Sequence, residues 1–238
     1  MLFERPTCWY SKALDDVPPD RFIPLAEETG LIIPLGKWII EEACRELAQM
    51  IARGAPETFV IYINVSAIQL LQQDFAWHLM DSIRQNGLSN DNVCIEISER
   101  VRLDHAQRIG KMLSYLRHHG ISVSLDDFGA NFPSHSCLHS LPFDSIKIDL
   151  RLVNGYLGDE KAKSVMDSLI VLARGFNVPL IAEGIEDEAV KLQLLGCQKA
   201  QGDYFHRPAG FTSFRCETGV FYYQNDEGNG GANDKKSA

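Results

Sequence analysis

What most constrains this chain is a rhythm in which short apolar, β-branched runs alternate with longer amphipathic ones. The short runs lie at 59–65 (FVIYINV), 93–97 (VCIEI), 122–125 (SVSL), 145–148 (SIKI) and 178–181 (VPLI), with a shorter one near Ala200. Their starts are about 20 to 35 residues apart, the length of one strand–helix unit. Between them the apolar spacing is helical. In 36–52, for example, Ile39, Ile40, Ala43, Cys44, Leu47 and Ile51 share one face. Further helices are expected over 70–86, 104–119, 160–176 and 187–195, with Gly87, Gly120 and Gly196 placed to end three of them. Near-continuous apolar strands joined by helices make a parallel sheet with helices packed on it.

Two architectures fit that description, an open doubly wound sheet and a closed (β/α)8 barrel. The polar residues discriminate between them. Asn64, Glu96, Asp126, Lys147 and Glu183 each fall at or just past the C-terminal end of a different strand. One polar residue from each of five successive strands makes a common rim, which is the barrel pattern. An open sheet gathers its polar residues at a single switch point. The expected fold class is therefore an α/β barrel, with Trp38, Met50 and Trp77 on helix faces packed against it.

Composition excludes several functions. With 45% apolar residues the chain can bury a core. Its 32 acidic against 23 basic residues give a formal charge of −9, which disfavours DNA or any long nucleic-acid backbone as partner. That charge leaves open a small phosphate ligand held through metal ions. The six cysteines, at 8, 44, 94, 137, 197 and 216, form no C-x-x-C pair and read as reduced thiols in a cytoplasmic protein. The opening MLFERPTCWY is no signal peptide, and the most apolar stretch is too short for a membrane span. Residues 224–238 (QNDEGNGGANDKKSA) carry no large apolar side chain and are expected to be disordered.

The rim has a chemistry of its own. Glu96, Asp126, Asp127 and Glu183 are carboxylates and Asn64 adds an amide oxygen, a hard-oxygen set suited to Mg²⁺ or Mn²⁺. Adjacent Asp126 and Asp127 allow the first to bridge two ions while the second faces one. Two ions roughly 3.5–4 Å apart are the usual clamp for in-line attack of water on a phosphodiester. Lys147 supplies positive charge near the attacked phosphate or orients the water. Glu183 ligates the second ion or serves as general base. The plainer alternatives are a helix cap at Asp126–Asp127, a solvated strand end at Glu96 and Glu99, and a Lys147–Asp149 salt bridge.

FIPLAEETGLI (22–32), INVSA (63–67), IEISE (95–99), LDDFG (125–129), IKID (146–149), AEGIE (182–186) and QGDYFHRP (201–208) follow one another in the order and spacing of EAL domains. The chain resembles these bacterial phosphodiesterases, which linearise cyclic di-GMP to pGpG. The resemblance implies a modified TIM barrel over residues 1–210 and a C-terminal extension over 211–238. It implies a two-metal site for Mg²⁺ or Mn²⁺, with Glu4, Asn64, Glu96 and Asp126 around the first ion. Asp126, Asp127 and Glu183 would hold the second. It implies Lys147 and Glu183 as catalytic residues, with Glu99 steadying the loop after the LDDFG strand. Gln201, Glu186, Asp149 and Pro142 would lie against the nucleotide. A homodimer is the expected assembly.

Departures from the pattern accompany the match. ERPTCW (4–9) occupies the signature segment, so Arg5 and Pro6 replace alanine and leucine, and Cys8 replaces a phosphate-binding arginine. Met1 stands just before that segment, whereas the family begins upstream with a helix and strand, so the barrel is either completed differently or left incomplete at its N-terminal strand. The loop after the aspartates reads Gly129, Ala130, Asn131, Phe132, Pro133, Ser134 and His135, stiffer than the family's glycine-rich version. Asp203 replaces an aromatic, and His135, His139 and His206 are expected on the surface. These departures support an alternative: a catalytically inactive EAL-like receptor, or a regulator acting through a protein partner.

Overall fold

A computed structural model of the chain describes residues 2–4, 9–11, 15–98, 105–129, 141–155, 159–184, 197, 199–200, 214–217 and 220–223. Its main sheet is built from β1 (Leu2–Glu4), β4 (Val60–Asn64), β5 (Val93–Ser98), β6 (Ser122–Phe128), β7 (Ser145–Ile148), β8 (Leu180–Ala182) and β9 (Lys199–Ala200). The strands lie side by side in that same sequence order, and every pairing is parallel. The order never reverses, so the sheet has no switch point of the doubly wound kind and takes the barrel arrangement. An antiparallel pair, β2 (Trp9–Ser11) and β3 (Asp15–Val17), follows β1, and a second, β10 (Phe214–Glu217) and β11 (Val220–Tyr223), comes after β9.

The helices are α1 (Pro19–Thr29), α2 (Ile32–Ala52), α3 (Ala67–Leu70), α4 (Phe75–Gln85), α5 (Ala106–His118), α6 (Leu150–Gly155) and α7 (Glu160–Phe176). Local chemistry sets their ends. Pro19 suits the first turn of α1, where its missing N–H would be unpaired anyway. Ser66 and Gln69 form a capping box that starts α3 immediately beyond β4. The Asp159 side chain accepts a hydrogen bond from the Lys161 backbone N–H at 2.8 Å to begin α7. The expected helix over 70–86 begins later, at Phe75, and is preceded by the short α3, which ends at Leu70. The helix over 187–195 lies outside the described residues, as do Gly196 and the tail from 224. No described helix is long and apolar enough to cross a membrane.

The strands alternate strictly between two faces. Ile61, Ile63, Val93, Ile95, Ile97, Val123, Leu125, Ile146, Ile148 and Leu180 belong to the large core shared with α2, α4, α5 and α7. The residues between them point the other way, into the barrel. There Tyr62, Cys94 and Ile181 form a small separate cluster, and the neighbouring Ser124 and Ser145 are buried and bonded Oγ to Oγ at 2.9 Å. Met50 is buried as expected. Trp38 and Trp77 instead face solvent, 51% and 68% exposed, because the apolar stripes of α2 and α4 are already filled by smaller residues.

Candidate active site

Residues in register across a parallel ladder point to the same side. Asn64 stands opposite Glu96, Glu96 opposite Ser124, and Ser124 opposite Ser145. Two residues on from Ser145, Lys147 keeps to the same inner face, opposite Ile181, and Glu183 follows two residues beyond that. The alternation that sends isoleucines outward thus sends Asn64, Glu96, Lys147 and Glu183 into the C-terminal mouth of the barrel.

Lys147 is the hub. Its ammonium lies 2.7 Å from Glu96 Oε1, 2.5 Å from Glu183 Oε1 and 3.5 Å from Asp126 Oδ1. Both Lys147 and Glu96 are withdrawn from solvent, at 1% and 0% exposure. A buried ammonium is tolerated when carboxylates surround it, and here they come from β5, β6 and the residue just past β8. Lys147 therefore does not pair with Asp149. That carboxylate is buried beside Arg151, accepting from its backbone N–H at 2.8 Å, Nε at 2.9 Å and Nη2 at 3.2 Å. Burial works to raise the Asp149 carboxyl, but these hydrogen bonds and the guanidinium charge outweigh it and hold the group below its ordinary range.

The aspartate pair depends on an irregularity in β6. Leu125 pairs with Ile146 and Phe128 with Ile148, so three steps on β6 match two on β7. The extra residue is a bulge, with Asp127 in the left-handed region at φ 53°. The Asp127 backbone N–H donates to Asp126 Oδ1 at 2.9 Å. The bulge lets Asp126 face inward and Phe128 return to the outer core while Asp127 stays at the rim, exposed. Carboxylate oxygens of Asp126, Asp127 and Glu183 consequently come within 4.8 Å of one another.

The charges do not balance. Glu96, Asp126, Asp127 and Glu183 contribute four negative charges and Lys147 one positive, a net of −3. Carboxylates as close as those of Asp126, Asp127 and Glu183 repel one another unless cations lie among them. The donor set is all hard oxygen, which fits small divalent cations and not zinc or copper. Below the rim, burial raises both the Tyr62 hydroxyl and the Cys94 thiol, and the negative charge of Glu96 adds to both. Neither group ionises at neutral pH, which leaves the carboxylates and Lys147 as the charged groups of the barrel mouth.

Of the other expected residues, Glu4 lies on β1 opposite Tyr62, on the ladder whose next inward position is Asn64. Pro142 is half-buried in the segment leading into β7. Glu99, Glu186, Gln201 and the loop 130–140 lie outside the described residues, as do His135, His139 and His206. Arg151 was not anticipated. Its signal in the sequence is a basic residue two places beyond the rim aspartate of IKID.

Residues 2–208 match the EAL domain family. The chain belongs to that family. The oxygen sensor protein DosP of Escherichia coli is 33% identical over 202 residues, 84% of this chain and 25% of DosP. Solved EAL structures agree. The PaMucR phosphodiesterase in complex with c-di-GMP has a TM-score of 0.79 at 30% identity, covering 86% of this chain and 83% of that one. The EAL enzyme Bd1971, bound to cAMP and cyclic di-GMP, has a TM-score of 0.80 at 32% identity, covering 88% and 58%. The chain spans about a quarter to a third of the length of curated relatives such as DosP.

Proposed function

We propose that this EAL domain is a metal-dependent phosphodiesterase that hydrolyses cyclic di-GMP to linear pGpG in the bacterial cytoplasm. The observation that carries the reading is the convergence of Asp126, Asp127 and Glu183 within 4.8 Å beside the buried Lys147. On this reading residues 1–210 are the catalytic unit and 211–238 an appended extension, and the domain works as a homodimer.

In the reaction a water oxygen bonds to phosphorus, the P–O3′ bond breaks, and the water's proton ends on the departing 3′ oxygen. Asp126, Asp127 and Glu183 would hold Mg²⁺ or Mn²⁺, with Asn64, Glu96 and Glu4 completing the set. Such ions, when bound, make water a better nucleophile and draw charge from the phosphate oxygens. Lys147 holds Glu96 and Glu183 in place and offers its positive charge to the phosphate as negative charge builds there. Glu183, at the solvent-facing edge of the cluster, would take the proton from the water. Pro142 and Asp149, with Glu186 and Gln201, would contact the nucleotide, and Glu99 would steady the loop beyond β6.

The direct test is turnover of cyclic di-GMP with Mg²⁺ or Mn²⁺, and with chelator, following pGpG by chromatography. Metal-dependent pGpG is expected. A folded protein that binds the intact nucleotide and makes no product overturns the catalytic reading in favour of a receptor. The ERP segment, with Cys8 in place of an arginine, is the feature that favours that second reading, or one in which the domain acts on a protein partner.

A further inference from the structure

The short helix α6 is wedged between the two strand ends that carry the carboxylate cluster. Leu150 lies over Gly184, where an added Cβ would stand 2.0 Å from Leu150 Cδ1. Leu152 lies over Gly129, where it would stand 2.3 Å from Leu152 Cδ1. Gly184 directly follows Glu183, and Gly129 comes two residues after Asp127. Both glycines have positive φ, +63° and +91°, so the missing side chains serve both the backbone turn and the close approach. The turn that bears Arg151 is therefore fixed against the backbone on both sides of the site.

Between those two leucines, Arg151 keeps a side chain that is 68% exposed. One edge of its guanidinium is forked onto Asp149, through Nε to Oδ1 and Nη2 to Oδ2. That fork uses two of five N–H donors and leaves three without a partner among the described residues. The guanidinium is also close enough to Asp127 for the two charges to interact. The rim's other described cation, Lys147, is buried and surrounded by carboxylates. Arg151 is thus a pre-oriented cation at the rim with donors to spare.

We infer that Arg151 is a substrate-phosphate contact: Asp149 fixes one edge of the guanidinium, and the other edge binds a phosphodiester oxygen of the cyclic dinucleotide. The inference rests on the function proposed above. Its ligand carries two phosphodiester charges, and a planar fork suits a phosphate better than a point charge does.

The test is a charge series at this position, Arg151→Lys, Arg151→Gln and Arg151→Glu, with cyclic di-GMP binding measured in Ca²⁺ and kcat/KM in Mg²⁺. Affinity should fall in the order Arg, Lys, Gln, Glu, with about a tenfold loss for Arg151→Gln, and the salt dependence should flatten in that variant. Glutamine can still donate to Asp149, so a role confined to bracing that carboxylate predicts Arg151→Gln close to wild type. That result, with the wild-type chain binding normally, overturns the inference alone. A wild-type chain that takes up no cyclic di-GMP under either condition overturns the functional reading, and this one with it. Because the side chain is exposed, melting temperatures within a few degrees of wild type are expected throughout the series.

Discussion

The two faces of the sheet are made by the same strands and obey opposite rules. Outward, Ile61, Ile95, Val123, Leu125 and Ile146 are interchangeable in kind, and their task is to exclude water against the helices. Inward, Glu96, Ser124 and Lys147 are just as buried, yet each is tied to a particular partner or charge. Burial therefore does not separate structure from chemistry in this molecule; pairing does. The outer face tolerates any well-packed apolar set, whereas the inner face fails when one member of a charge network is lost.

Substitutions on the two faces should separate activity from stability. Asp126→Asn should have the largest effect, lowering pGpG formation by about a thousandfold or more. Its melting temperature should not fall, since one of four crowded negative charges is removed. Lys147→Met should cost about 3–5 kcal/mol in denaturant titration, because it strands Glu96 in a buried site without its ammonium. It should also abolish turnover. In the helix layer packed on the outer face, replacing the buried Leu113 of α5 by alanine (Leu113→Ala) should cost about 2–5 kcal/mol yet leave kcat/KM at the wild-type value well below the melting transition. A large loss of kcat/KM in that variant would show that the two faces are not separable.

Smaller effects sharpen the same contrast. Gly184→Ala combines a positive φ with a clash against Leu150, and should cost roughly 1–3 kcal/mol. Adding Leu150→Ala should recover part of the stability but not the activity. The least effect is expected from Asp149→Asn. The native carboxyl sits below its ordinary value, so its contribution is fully present above about pH 4 and is lost as pH falls through the depressed native value. Urea midpoints of wild type and Asp149→Asn should differ at pH 7 and converge under acid. A gap that widened in acid would reverse the assigned sign.

The sequence made the outer face legible, because isoleucine–valine runs and helical stripes repeat at fixed periods. It also located the inner rim, because a polar residue at the end of each apolar run is conspicuous. It missed α1, where Pro18, Pro19 and Pro24 look like a loop although Pro19 opens the helix and Pro24 sits within it. It began α4 five residues early and left α3 unread, since leucines at 70 and 71 and Phe75 keep a helical period across the break. Partner choice was less readable still. IKID puts Lys147 and Asp149 two apart, but the strand ends between them, so Lys147 joins Glu96, Asp126 and Glu183 while Asp149 takes Arg151. Which carboxylate reaches which cation depends on strand register, and register is a property of the assembled sheet.

The bulge at Asp127 has one more consequence, and it concerns insertions and deletions. Leu125 faces out, Asp126 faces in, and Phe128 faces out again, so Leu-Asp-Phe without the extra residue is an ordinary alternating strand end. Asp127 is an added letter that leaves every neighbour on the side it would have occupied anyway. A single duplicated aspartate codon is enough to turn a one-carboxylate strand into a two-carboxylate one without repacking the barrel. Removing that codon should return the strand to a plain ladder with its core intact.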